Sequence, residues 1–197
     1  MTDNFLNRKL NITNEPEKWE KSEDQLVIHT EPGTDLWQRT YYGFQNDNAP
    51  VFQTQTDDQY FSFVTKVESK SSHRFDQAGI VVYLDSDNWI KASSEYENKD
   101  FQRLGSAVTN KGYSDWASQD IDANTHTIWY RLSRRGSDFR VEYSFDGKDY
   151  KQIRICHLEK GDQTVSFGVY ACSPEKGAFK ATFSEMTIEP CVWEAHE

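Results

Sequence analysis

The sequence predicts an all-β domain, a two-sheet antiparallel β-sandwich of jelly-roll type, on three observations. Apolar and polar residues alternate with a period of two in many short runs, turn dipeptides separate several of them, and no comparable stretch carries a helical period. About a dozen such strands are more than one strongly twisted sheet holds without curling or splitting, so two packed sheets follow.

In chain order, strands are expected over 25–30, 36–44, 60–67, 78–84, 89–97 and 103–108. A three-strand meander comes next. Phe139, Val141, Tyr143 and Phe145 take one side of a strand while Arg140, Glu142 and Ser144 take the other. Asp146-Gly147 supplies the positive φ angles of a tight turn, and 150–157 returns. Arg135-Gly136 makes a similar turn upstream, which pairs 126–134 with 139–145. Alternation at Val165, Phe167, Val169 and Ala171, and again at Phe179, Ala181 and Phe183, places the last strands over 164–172 and 179–188. No linker, repeat or low-complexity stretch divides the chain, so 1–197 reads as one domain, with 1–15 as an N-terminal arm or a first strand.

Composition narrows the classes of function. Only 36% of the 197 residues are hydrophobic, but 6 Trp, 10 Tyr and 12 Phe supply large side chains for a core. The net charge of −10, with no Lys/Arg cluster, argues against a nucleic-acid partner, which needs concentrated cations against phosphates. The N-terminal stretch has no basic region followed by an apolar one, and no apolar run is long enough to cross a bilayer. A cytoplasmic protein without a membrane partner is expected. Cys156, Cys172 and Cys191 are odd in number and lack CxxC spacing, which suits reduced thiols better than disulfides or zinc.

Four strings carry a family resemblance: PGTDLWQRTYYGF at 32–44, DQAGIVVYLDSDNWIKASSEYE at 76–97, GYSDWASQD at 112–120 and YACSPEKGAFKATFSEMTI at 170–188. Together they resemble the regulation-of-enolase-protein family, an uncharacterised group of concanavalin-A-like lectin/glucanase domains. The likeness runs from about Trp19 to Ile188. It implies a concanavalin-A-like jelly roll with a concave sheet, the surface on which related lectins and glucanases hold sugars; it implies no particular reaction.

The candidate ligand-binding residues lie in those strings. Trp37 and Arg39 share a strand face by two-residue spacing, as do Trp89, Lys91, Ser93 and Glu95. Gln77 joins Lys91 and Glu95 if Asp85 opposes Trp89, a register that sets Gly79 across from Glu95 and leaves room there for a ligand. The plainer reading is a cross-strand Lys91–Glu95 neighbour pair with Gln77 satisfying a backbone edge. Trp116, after Gly112, is expected on a loop or strand entrance, where its indole either stacks on a sugar ring or anchors the loop. Tyr42 is a rim candidate.

Support for catalysis is thinner. Glu95 and Glu97, two apart on a strand, project to one face, and either Glu97 or Asp115 would partner Glu95 in glycoside hydrolysis. The acidic E-x-D-x-x-E pattern of the glucanases is not present in Glu95-Tyr96-Glu97. His29, His73, His126, His157 and His196 form no metal motif, and Cys172 reads as a small strand-end residue before Pro174. No cofactor is called for. Asp85, Asp87 and Asn88 offer oxygens to a structural calcium, which folds of this kind sometimes carry, but Trp89 and Ile90 follow where an EF-hand needs another oxygen ligand and Gly, so a polar turn accounts for them.

The sequence therefore leads to a noncatalytic cytosolic binding module that recognises a carbohydrate or small polar metabolite on its concave sheet. A glycoside-cleaving enzyme and a regulatory domain with a protein partner are the alternatives.

Overall fold

The computed structural model describes residues 2–195, so His196 lies outside the described residues. The strands are β1 Asp3–Asn4, β2 Asn11–Thr13, β3 Trp19–Lys21, β4 Gln25–His29, β5 Leu36–Gln38, β6 Gln45–Asp47, β7 Val51–Thr56, β8 Tyr60–Ser69 and β9 Gln77–Asp85. They continue as β10 Asn88–Tyr96, β11 Phe101–Asn110, β12 Tyr113–Asp122, β13 Thr127–Arg135, β14 Asp138–Ser144, β15 Lys151–His157, β16 Val165–Cys172 and β17 Lys180–Pro190. One sheet runs β15-β14-β13-β8-β17-β4-β3, with β1 also on β17; the other runs β12-β11-β10-β9-β16-β7-β2. All pairings within these two sheets are antiparallel, as the expected sandwich requires.

Alternation decides which side chains meet between the sheets. Phe63, Val67, Tyr130, Leu132, Phe139 and Val141 of the first sheet bury against Ile80, Val82, Ile90, Phe167 and Val169 of the second. The meander β13-β14-β15 forms as the turn dipeptides indicate. The N-terminal residues are more than an arm. Phe5 is sealed in the core with its ring 4.9 Å from that of Phe63, while β1 and β2 join different sheets and so tie the two layers together.

The structure corrects three assignments. Residues 36–44 are not one strand, because β5 stops at Gln38 and the chain takes left-handed φ values at Arg39, Tyr41, Tyr42 and Gly43 before β6. Strand β12 runs through Trp116, where a loop or strand entrance is expected and no strand is assigned from the sequence; as a sheet edge with mostly exposed side chains, it lacks the apolar alternation that marks buried strands. Strand β7 escaped notice because Gln53 and Thr54 are polar yet buried.

Arg134 fixes one end of the sandwich. Its buried guanidinium donates to the carbonyl oxygens of Asp58, Gly136, Gly161 and Gln163 and to Gln59 Oε1, joining three turns through one side chain. Arg134→Met leaves those acceptors without donors, and chemical denaturation should show a loss of about 3 kcal/mol. A loss below about 1 kcal/mol would mean that the turns hold without it.

Candidate functional site

In β9, β10 and β16 the face turned away from the sandwich core is buried too. A second apolar cluster forms there from Val81, Tyr83, Trp89, Tyr170 and Cys172 together with Leu36, Ala49 and Val51. The cover is the segment 31–49, which carries the β5-β6 hairpin across the sheet. Several contacts fasten this roof. Ser114 Oγ accepts from Gln38 N at 2.9 Å, the Tyr83 hydroxyl donates to the Asp47 carboxylate at 2.9 Å, and Arg39 Nη1 reaches Asp87 at 3.2 Å and the Gly112 carbonyl at 2.8 Å.

Where the roof stops short, a cleft of about 500 Å³ opens. Its floor carries Lys91 and Glu95 of β10, Glu97 just past the end of that strand, Arg103 of β11 and Trp116 of β12. Trp37, Tyr41, Tyr42 and Phe44 of the roof form one wall, and Arg74 and Phe75 stand in the loop before β9. Tyr41 and Tyr42 are 76% and 78% exposed, with their ring centroids 4.1 Å apart, on backbone held in the left-handed region.

Register explains the floor. Asn88 opposes Asp85, a bulge follows, and Trp89 then pairs with Tyr83, Lys91 with Val81, Ser93 with Gly79 and Glu95 with Gln77. The expected face is therefore right, while the expected register is displaced by two residues. Gly79 lies opposite Ser93 rather than Glu95 and leaves no ligand space: a Cβ there would stand 1.8 Å from the Ala92 carbonyl oxygen. Close backbone approach is what demands glycine at this position.

Polar groups on the floor are held in a fixed arrangement. The Tyr170 hydroxyl donates to Gln77 Oε1 at 2.8 Å and lies 2.9 Å from Ser93 Oγ. Gln77 Nε2 donates to the Phe75 carbonyl and to Glu95 Oε2, each at 3.1 Å. Lys91, only 3% exposed, has its Nζ 3.3 Å from Asp35 and lies near the faces of Trp89 and Tyr170. Glu97 is gripped by Arg74 at 2.7 Å and by Arg103 at 3.4 Å. Burial pushes the Glu95 carboxyl up to about 7; Asp35 and Glu97 add to the rise, and Lys91 and Arg103 oppose it.

The structure thus brings together Trp37, Tyr42, Lys91, Glu95, Glu97 and Trp116 on the cleft. Gln77 is sealed beneath it and acts on Glu95. Arg39 is absent from the cleft, because the strand ends before it and its side chain anchors the roof. Asp115 is also misplaced by the hydrolase reading: it alternates with Trp116 to the other face of β12, opposite core-facing Val108, and pairs with Arg154 at 2.9 Å. Cys172 is buried, and desolvation pushes its thiol well up, so no thiolate is available. Asp85 and Asp87 spend their carboxylates on turn hydrogen bonds, Lys160 and Arg39. No group of three or more His, Cys, Asp or Glu side chains placed to hold a metal occurs among the described residues, and no helix there is long and apolar enough to cross a membrane.

Sequence reading overlooked Asp35, Tyr41, Phe44, Arg74, Phe75, Arg103 and Tyr170. Tyr41 and Phe44 sat inside the quoted 32–44 string, but the left-handed turn that turns them outward has only Gly43 as its local signal.

With this geometry in place, similarity to known proteins is informative. A family model described as "Protein of unknown function (DUF1349)" matches residues 12–191. The chain belongs to the DUF1349 family. It is 30% identical over 175 residues to "Regulation of enolase protein 1" of Saccharomyces cerevisiae, covering 89% of this chain and 86% of that protein, in agreement with the expected resemblance. The crystal structure of a functionally unknown protein from Saccharomyces cerevisiae superposes with a TM-score of 0.85 at 29% identity, over 93% of this chain and 97% of that one. The GH43 protein BlXynB of Bacillus licheniformis matches with a TM-score of 0.71 at 16% identity; the match covers 98% of this chain but only 39% of that one, and it shows the β-sandwich fold alone.

Two outcomes test the floor. Gly79→Ala should unfold the domain or cost several kcal/mol, since backbone must move to admit the methyl group, and thermal unfolding measures it (roughly 2–4 kcal/mol). For Glu95, the folded pKa of about 7 stands above the ordinary 4.5. The folded state therefore holds the proton more tightly, a stabilisation complete below about pH 4.5 and lost as pH rises through about 7. Measured against Glu95→Gln, wild-type stability should fall by on the order of 2–3 kcal/mol between pH 4 and pH 8. A flat difference would show that Glu95 is better solvated than the cleft geometry implies.

Proposed function

We propose that this protein is a noncatalytic binding module whose roofed cleft recognises a carbohydrate or a related small polar ligand. The observation that carries the reading is the pairing of exposed aromatic faces with a pre-oriented polar floor in a cleft of small-ligand size, about 500 Å³. Aromatic rings at Trp37, Tyr42 and Trp116 offer flat apolar area to a sugar ring. Beneath them, Glu95 and Lys91 present hydrogen-bonding atoms whose positions are set by Gln77 and Asp35 before any ligand arrives. The likeness to GH43 chains is one of fold, and the proposal stands on the cleft.

A second reading, glycoside cleavage, draws on one observation: a carboxyl raised to about 7 lies two residues from an ion-paired carboxylate just past the end of its strand. Turnover separates the readings. A hydrolase would lose product formation in Glu95→Gln while still binding sugar, whereas a module shows no product with either protein.

A thermal-shift screen against mono- and oligosaccharides tests the proposal directly. A ligand at about one hundred times its dissociation constant stabilises the fold by roughly 2.7 kcal/mol, well within detection. Trp116→Ala should weaken that ligand about tenfold, without altering the unfolding midpoint of the free protein by more than a few degrees. No shift with any sugar would move the weight to a protein partner gripping the same aromatic wall.

A further inference from the structure

The donors and acceptors around Glu95 define which kind of saccharide the cleft takes. Gln77 has no freedom to turn its amide over: Tyr170 donates to its Oε1, and its Nε2 faces the Phe75 carbonyl and Glu95. Glu95 Oε2 must therefore accept. When the carboxyl of this cleft-lining residue holds a proton, the proton sits on Oε1, the oxygen with no hydrogen bond to the described residues.

Arg103 stands directly across the strand pair from Glu95. Its guanidinium makes no hydrogen bond to the described residues, although Nε is shielded from solvent and the side chain as a whole is 41% exposed toward the cleft. Arg103 and Arg74 share the Glu97 carboxylate, and Glu175 is a further carboxylate on the cleft, so unused Arg103 donors rather than an excess of cations mark this end. Asp35 already neutralises Lys91. A guanidinium with unused donors beside an acid proton suits a planar or tetrahedral anionic oxygen group.

We propose that the cleft takes a saccharide bearing an anionic oxygen group, carboxylate or phosphate, seated between the Arg103 guanidinium and Glu95 Oε1, with Gln77 as the residue that positions the carboxyl. The inference rests on the saccharide reading of the cleft. It carries a proton linkage, because an anion beside Glu95 favours its neutral form. The other groups facing Glu95 are Lys91 on its own strand, Glu97 just past that strand's end, Arg103 on β11 and Asp35 on the roof, with Tyr170 and Cys172 on β16 below. Arg74 and Glu175 complete the charges on the cleft.

Isothermal titration with a glucuronate-bearing oligosaccharide, its neutral counterpart and glucose 6-phosphate tests this at pH 6 and pH 8. The acidic ligand should bind at least about tenfold tighter than the neutral one at pH 6, and Arg103→Gln should bring the two within about twofold. Binding of the phosphate alone, with the same dependence on Arg103, assigns phosphate as the group; binding of the uronate alone assigns carboxylate. From pH 6 to pH 8 the wild-type affinity should fall about tenfold as Glu95 ionises, whereas Glu95→Gln, which keeps a donor toward the cleft, should bind with little pH dependence. Gln77→Leu removes a donor to the carboxylate and should move the midpoint of the pH profile upward, a change that a purely structural role would not produce. Equal affinities for acidic and neutral saccharides overturn the inference and leave the saccharide reading intact. No binding of either kind by the folded protein overturns both.

Discussion

Burial of both faces of β9, β10 and β16 is the constraint on which the site depends. An antiparallel sheet at the surface ordinarily buries one face and solvates the other. Here the inner face packs into the sandwich core, and segment 31–49 covers much of the outer one. Every polar side chain on that outer face must then find a partner, because an unpaired buried polar group costs about 1–3 kcal/mol. Gln77, Lys91, Ser93 and Tyr170 find theirs in one another, in Asp35 and in Glu95. The pre-oriented floor of the cleft is a consequence of that requirement.

The roof explains the aromatic wall. Four of the five residues from Arg39 to Gly43 have positive φ, three of them non-glycine, and such backbone costs of order 1–3 kcal/mol per residue unless its surroundings enforce it. The enforcement is visible on both sides of the turn. Arg39 N donates to the Phe44 carbonyl and Trp37 Nε1 to the Thr40 carbonyl, while the Arg39 side chain is bonded to two turns of the sheet below. The turn is held in a conformation that keeps Tyr41 and Tyr42 in solvent, although an aromatic side chain would gain from burial.

Much of this was legible in the sequence because the period of two is a local signal. It gave the two-sheet sandwich, the β13-β14-β15 meander and the common face of Lys91 and Glu95, whereas Gln77 joined them only through an assumed hairpin register. What was illegible depended on partners far along the chain. Strand β7 hides behind Gln53 and Thr54, polar residues that alternate with Val51 on the roofed face and with Phe52 on the core face, and β12 is an edge strand with few apolar residues to mark it. A bulge between Asn88 and Trp89 shifts the hairpin pairing by two residues, which preserves the face and changes every partner. Arg39 was misread as a ligand-binding residue because the reversal at 39–43 breaks the strand alternation that would have paired it with Trp37.

The charge arrangement also bears on why binding is the stronger reading than hydrolysis. A retaining or inverting glycosidase needs a second carboxylate free to attack the sugar or to activate water. Glu97 is instead held by Arg74 and Arg103, and Asp115 faces away toward Arg154. An anionic ligand could compete with Glu97 for Arg103, but a neutral sugar cannot, so the carboxylate that catalysis would require stays committed when such a sugar enters. Glu95 makes no ion pair among the described residues and is suited to recognising an oxygen, while the neighbouring carboxylates Asp35 and Glu97 are committed to Lys91 and to Arg74 and Arg103.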